Sequence, residues 1–159
     1  MNHRAPILVV EDEKSDALLI RRTLGKAGLP YPLHFVETGE QAIAYLSELE
    51  SYSDRNKHPM PALVLLDLKL PGKSGFEVLE WVRANPLFKM LRVVVLTSSK
   101  DIRDVRQAYK LGANSFLVKP LEFENMSALM ATIGTQLWKA NTRTETEDTV
   151  PRTNKVLIV

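Results

Sequence analysis

Leu63-Val64-Leu65-Leu66-Asp67 is four apolar residues running straight into a carboxylate. A short, unbroken apolar run of this kind suits a strand covered on both faces. Three other stretches repeat the design. Ile7-Leu8-Val9-Val10 runs into Glu11-Asp12, Val93-Val94-Val95-Leu96 ends at Thr97, and Ser115-Phe116-Leu117-Val118 ends at Lys119-Pro120. In an open parallel sheet the carboxyl ends of the strands meet at one crevice, where ligands bind. Residues from opposite ends of the chain would then face one another there: three carboxylates, a hydroxyl and an ammonium.

Segments with helical periodicity lie between the runs. Ser15 is placed as an N-cap, followed by Ala17, Ile20, Leu24 and Ala27 at three- to four-residue spacing, until Gly28-Leu29-Pro30 stops the helix. Leu33-His34-Phe35-Val36 reads as a further strand. Thr38-Gly39-Glu40-Gln41 and Ser74-Gly75-Phe76-Glu77 both read as capping boxes. The first opens a helix expected to carry Ala42, Ile43, Leu46 and Leu49 inward. The second opens one carrying Val78, Leu79, Trp81 and Val82, ending near Asn85-Pro86. A helix from about Asp101 stops at Leu111-Gly112, and the last helix is expected from Leu121 to about Trp138. Five β-α units imply an α/β fold with a parallel sheet and helices on both faces. Residues 51–61 are polar and contain two prolines, and they read as a long surface loop.

Residues 1–140 are expected to form one domain, and 141–159 a polar tail that closes on the apolar Val156-Leu157-Ile158-Val159. That last run has two readings, a frayed terminus or a segment held by a strand edge or a second subunit. The chain has 159 residues, 45% of them hydrophobic and 25% charged, as in an ordinary soluble domain. A net charge of +2 with scattered Lys and Arg gives no nucleic-acid footprint. There is no Cys, which excludes disulfides and thiolate chemistry. No stretch approaches the roughly 18 apolar residues of a membrane span, and no signal peptide is evident. A cytoplasmic protein that binds neither membrane nor nucleic acid is the plain expectation. His3, His34 and His58 lack ligand spacing and are expected to play no catalytic part.

Three carboxylates brought together repel unless a cation compensates. Mg²⁺ suits them, because it takes oxygen ligands and completes its shell with water and phosphate. Aspartate can act as a covalent phosphoryl acceptor. Transfer then needs mainly positioning and charge neutralisation, for which Lys119 offers a point charge and Thr97 a hydrogen bond.

This set, with Asp67 in Leu-Leu-Asp-Leu-Lys-Leu-Pro-Gly-Lys-Ser-Gly, Thr97-Ser98 after the fourth strand and Lys119-Pro120 after the fifth, strongly resembles the receiver domain of two-component response regulators. The resemblance spans about Ile7 to Trp138. It implies a flavodoxin-like, doubly wound, five-stranded parallel sheet of order 2-1-3-4-5. It further implies that Asp67 is phosphorylated by a sensor histidine kinase. Mg²⁺ would be bound by Asp12, by Asp67, by Glu11 mainly through water, and by the backbone carbonyl of Lys69. Thr97 and Lys119 would hold the phosphoryl group. Phe116 takes the place of the family's aromatic switch residue and would turn inward as Thr97 moves to the phosphate. The Lys119–Pro120 bond is implied to be cis. The face of the fourth helix, fifth strand and fifth helix would then bind a partner or form a homodimer. Lys69 and Ser99 would flank the path of a hydrolytic water. The long loop before the third strand and the lack of an output domain resemble single-domain regulators that partner cyanobacterial phytochrome kinases.

Two rival functions share the residues. A Mg²⁺-dependent phosphatase with an Asp nucleophile typically carries a second acid two residues on, where this chain has Lys69. A receiver-fold scaffold acting without phosphorylation would have no use for the intact acceptor set. The expectation is therefore a phosphoacceptor signalling domain rather than an enzyme.

Overall fold

The computed structural model describes residues 5–119, 126–142 and 156–158. Eleven regular elements follow one another: β1 (Ile7–Val10), α1 (Lys14–Lys26), β2 (Leu33–Val36), α2 (Gly39–Leu46), β3 (Leu63–Leu66), α3 (Gly75–Ala84), β4 (Arg92–Thr97), α4 (Ile102–Leu111), β5 (Ser115–Val118), α5 (Met126–Thr142) and β6 (Val156–Ile158). Short 3-10 turns lie at Glu50–Tyr52 and Pro86–Phe88. The sheet order is β2-β1-β3-β4-β5-β6, with every pairing parallel.

The order 2-1-3-4-5 expected from the sequence is present, and a sixth strand is added to it. Val156, Leu157 and Ile158 pair with Phe116, Leu117 and Val118, so these three residues of the terminal apolar run form a strand on the outer edge of β5. The helix before it also outlasts the expected stop at Trp138 and runs through Asn141 to Thr142.

Alternation along the strands builds two cores. Leu8, Val10, Val64, Leu66, Val93, Val95, Phe116 and Val118 face the side covered by α2, α3 and α4. Ile7, Val9, Leu63, Leu65, Val94, Leu96 and Leu117 face α1 and α5, where they meet Ile20, Leu24, Leu129 and Ile133. Both faces are covered, so all positions of β1 and β3 are buried and the strands carry no polar alternation.

The helix signals hold where side chains do the capping. Thr38 with Gln41 and Ser74 with Glu77 form complete capping boxes. Asp101 caps α4, and Gly112 ends it at φ +112°, a conformation L side chains rarely adopt. Ser15 does not cap α1. The helix starts at Lys14 with Glu13 as N-cap, and that cap makes no side-chain bond. The Glu13 N–H instead donates to Glu11 Oε2 at 3.1 Å, so a carboxylate at the strand end steers entry into the helix.

Leu49 is likewise not on the inner face of α2, and is 53% exposed. The helix ends at Leu46, Ser47 follows as C-cap, and Glu48 and Glu50 take φ of 59° and 56°. The chain therefore turns away before Leu49, and Tyr45 fills the inner position. Arg55 of the long loop fixes this exit. Its guanidinium donates to the carbonyls of Tyr45, Leu46 and His58 and to Glu48 Oε1, satisfying carbonyls at the end of α2. The loop is thus clamped to the fold rather than merely solvated.

Nor are His34 and His58 isolated. The loop brings His58 back toward β2, leaving the His34 and His58 ring centroids 6.1 Å apart, with Tyr45 of α2 in edge contact with both and Tyr52 in edge contact with His58. The Tyr45 hydroxyl lies 2.9 Å from both the Pro59 carbonyl and His34 Nδ1. A carbonyl only accepts, so the single phenolic proton goes to Pro59 and His34 Nδ1–H donates to the phenol oxygen.

Two outcomes follow for stability. Gly75 abuts the backbone of the β3 exit, where an added Cβ would lie 2.3 Å from the Asp67 carbonyl oxygen. Gly75→Ala is expected to cost about 1–3 kcal/mol in urea unfolding, the range for overpacking against a fixed neighbour. Burial, with the charge of His58, holds the His34 pKa below its usual 6.5. The unfolded chain therefore takes up this proton first, so stability is complete above pH 6.5 and declines as pH falls toward the folded-state value. Thermal melts across that window should show the decline, and His34→Gln should flatten it.

Candidate functional site

Register explains why the four strand ends converge. Val10 pairs with Leu66, and Leu66 with Val95, so Glu11 and Asp67 leave neighbouring strands at the same level. The switch point between β1 and β3 opens beside them. β4 continues to Thr97, which pairs with Val118 and places Lys119 next. Backbone bonds carry the ladder into the site: Asp67 N–H to the Val10 carbonyl at 3.1 Å, Glu11 N–H to Val36 at 3.0 Å, and Lys119 N–H to Thr97 at 2.8 Å.

At the centre is the Lys119 ammonium. It donates to Glu11 Oε1 at 2.5 Å, Asp16 Oδ2 at 2.8 Å and Asp67 Oδ2 at 3.1 Å. Lys119, Glu11 and Asp67 are all buried. Burial disfavours the lysine's charge, but the hydrogen bonds to Asp16 and Glu11, with the charge of Asp67, outweigh it and raise its pKa. Burial pushes the Glu11 carboxyl up to about 7, with Lys119 pulling it back and the Asp67 charge adding to the rise. One cation among these carboxylates leaves an excess of negative charge.

The donor set fits a hard divalent cation. Oxygens of Glu11, Asp12 and Asp67 lie within 4.8 Å of one another, and carboxylate oxygen is what Mg²⁺ and Mn²⁺ select. Both Glu11 oxygens are already engaged, one by Lys119 and one by Glu13. The Asp67 oxygens accept from Lys69 N–H at 3.1 Å and from Lys119. Asp12 is half-buried at the mouth. A shallow groove opens there, lined by Glu11, Asp12, Leu18, Phe35 and Glu37 among others.

Thr97 is fully buried at the end of β4. Ser99, two residues on, donates to Asp104 Oδ2 at 2.5 Å, tying the β4–α4 loop to α4. Lys69 is exposed. Phe116 is fully buried in the core beneath α4, so the inward turn expected of it is already complete in this conformation. Pro120 and its expected cis bond lie outside the described residues.

Asp16 escaped the sequence reading, which found the acids only at strand ends. Its position in the first turn of α1 is where a carboxylate commonly sits for the helix dipole alone. Only the fold shows that this turn overhangs the lysine.

The parallel sheet with an acidic pocket and a buried lysine at its switch point defines a receiver-type fold. The model of the response regulator receiver domain matches residues 7–131, and the chain belongs to that family. Response regulator Rcp1 of Synechocystis is 38% identical over 120 residues, covering 76% of this chain and 80% of the relative. The probable methanogenesis regulatory protein FilR2 of Methanothrix harundinacea is also 38% identical, covering 76% of this chain and 75% of its own.

Solved structures agree. The phosphorylated cyanobacterial phytochrome response regulator RcpA superposes with a TM-score of 0.73 at 32% identity, covering 89% of this chain and 97% of that one. The bacteriophytochrome response regulator RtBRR gives 0.72 at 40% identity, covering 83% and 79%. The Mn²⁺-bound form of Rcp1 gives 0.70 at 32%, covering 94% and 99%. The chain is thus a receiver-domain response regulator of two-component signalling, related to the phytochrome response regulators. Among the described residues no helix is long and apolar enough to cross a membrane.

A cation that binds only the folded state stabilises it by mass action. Mg²⁺ in the millimolar range is expected to raise the melting temperature measurably, and Asp12→Asn to remove most of that rise. An equal rise in the variant would place the ion elsewhere.

Proposed function

We propose that Asp67 accepts a phosphoryl group from a phosphohistidine of a sensor histidine kinase of the phytochrome kind. The observation that carries this reading is the buried Lys119 ammonium lying on the Asp67 carboxylate at 3.1 Å. In the transfer the phosphorus–nitrogen bond breaks and its electron pair returns to the imidazole. A new phosphorus–oxygen bond forms at Asp67. Glu11, Asp12, Asp67 and the Lys69 carbonyl would hold Mg²⁺, Glu11 mainly through water, and the ion supplies neutralisation of the phosphoryl oxygens. Lys119 and Thr97 would take two of those oxygens. The groove at the mouth, with exposed Leu18 on its wall, offers the phosphodonor domain an apolar purchase.

Because Phe116 starts buried, the switch in this reading rests on Thr97 and the β4–α4 loop. Drawing Thr97 toward the phosphate would pull on Ser99 and its bond to Asp104, and so on α4. The homodimer then uses the α4–β5–α5 face. β6 already takes the backbone edge of β5, which leaves the contact to the helices, where Ile102 of α4 and Trp138 of α5 are 55% and 62% exposed. Residues 1–140 act as the receiver unit in the cytoplasm, and the tail 141–159 supplies the edge strand.

Incubation with a small phosphodonor and Mg²⁺ is expected to phosphorylate the protein on a phosphate-affinity gel and leave Asp67→Asn unmodified. Equal modification of the variant would refute the assignment. Steady release of phosphate from a generic phosphoester, abolished at Asp67, would favour the phosphatase instead. Light scattering with and without beryllofluoride should show a rise in mass if the face dimerises on phosphorylation.

A further inference from the structure

We propose that Asp16 is a positioning residue that occupies one donor of Lys119 in the resting state and must release it to the phosphoryl group. Asp16 thereby sets how tightly the site holds phosphate. The inference rests on the phosphoacceptor reading above and adds to it a residue outside the strand-end set.

An ammonium has three N–H donors, and all three are in use, on Glu11, Asp16 and Asp67. A phosphoryl oxygen arriving on Asp67 finds no free donor on Lys119. One of the three existing bonds has to be given up. Asp67 becomes the acyl phosphate, so its donor follows the phosphoryl oxygen, and the ammonium has to move with it against its bonds to Glu11 and Asp16. Glu11 is 3% exposed, and its other oxygen is held by the Glu13 N–H. Freeing it would leave a buried carboxylate without its cation, the costlier outcome. Asp16 differs on each count. Its side chain is 26% exposed, so water can replace the lysine. It stands in the first turn of α1, where the helix N-terminus favours a carboxylate whether or not lysine is bound. It also lies outside the oxygen cluster of Glu11, Asp12 and Asp67.

Two effects of Asp16 therefore have the same sign. Its oxygen competes with the phosphoryl oxygen for one ammonium proton, and its charge repels the anion. Removing the charge while keeping the shape should strengthen anion binding without changing the metal site.

The test is a titration of the full chain with beryllofluoride at saturating Mg²⁺, followed by ¹⁹F NMR, with Mg²⁺ alone titrated separately by isothermal calorimetry. Asp16→Asn is expected to bind beryllofluoride about threefold more tightly, the size of a partly exposed ion pair, with Mg²⁺ affinity unchanged. Asp16→Glu, which keeps the charge and can reach the ammonium, should behave as the unaltered protein. Should Asp16→Asn fail to fold, Asp16→Ala takes its place. Binding equal to or weaker than that of the unaltered protein overturns the proposal. So does an Mg²⁺ affinity that shifts by the same factor, or a gain in Asp16→Glu as large as in Asp16→Asn. If the unaltered protein itself does not bind beryllofluoride, the phosphoacceptor reading falls and this proposal with it.

Discussion

One buried ammonium holds the site together. Lys119 reaches back from the last strand end of the five-stranded core to carboxylates at the ends of β1 and β3 and in the first turn of α1. Burying three charged groups this closely is unfavourable unless each finds a partner. The arrangement persists because the lysine serves all of them at once, and because backbone N–H groups of Glu13 and Lys69 take the remaining oxygens. The site remains short of positive charge, and that deficit is what invites a divalent cation and an exchange of partners around the lysine.

The sheet exists to make that meeting possible. A parallel sheet puts every strand's carboxyl end on one edge, and the 2-1-3 order opens a gap beside β1. The in-register ends of β1 and β3 place Glu11 and Asp67 side by side, while the longer β4 sets Thr97 level with the end of β5. Close packing follows from this. Gly75 starts α3 against the Asp67 carbonyl, where no side chain fits. The same edge links to the α4 side of the molecule through Ser99 and Asp104, a short path from buried chemistry to an exposed helix.

Much of this was legible in the sequence, for identifiable reasons. Strands buried on both faces must be continuously apolar, so runs such as Leu63–Leu66 and their polar endings stand out. Capping boxes at Thr38 and Ser74 are local, and local signals survive into the fold. What escaped depends on contacts distant in sequence. Arg55 looked like one charge in a solvated loop, yet it closes the end of α2. His34 and His58 looked isolated because nothing local foretells that the loop folds back toward β2. Serine favours an N-cap, which is why Ser15 reads as one in the sequence, whereas in the fold the Glu11 carboxylate sets the entry into α1. Asp16 passed as an ordinary first-turn acid. The terminal Val-Leu-Ile run was ambiguous because an edge strand has only one neighbour to declare it.

The convergence on Lys119 can be observed directly by ¹⁵N–¹H NMR of the lysine side chains. An ammonium locked by three carboxylate hydrogen bonds exchanges its protons slowly, so one protected NH₃⁺ resonance is expected, absent in Lys119→Arg and shifted when Mg²⁺ is added. Finding Lys119 in rapid exchange like the surface lysines, and indifferent to Mg²⁺, would contradict the account at its centre.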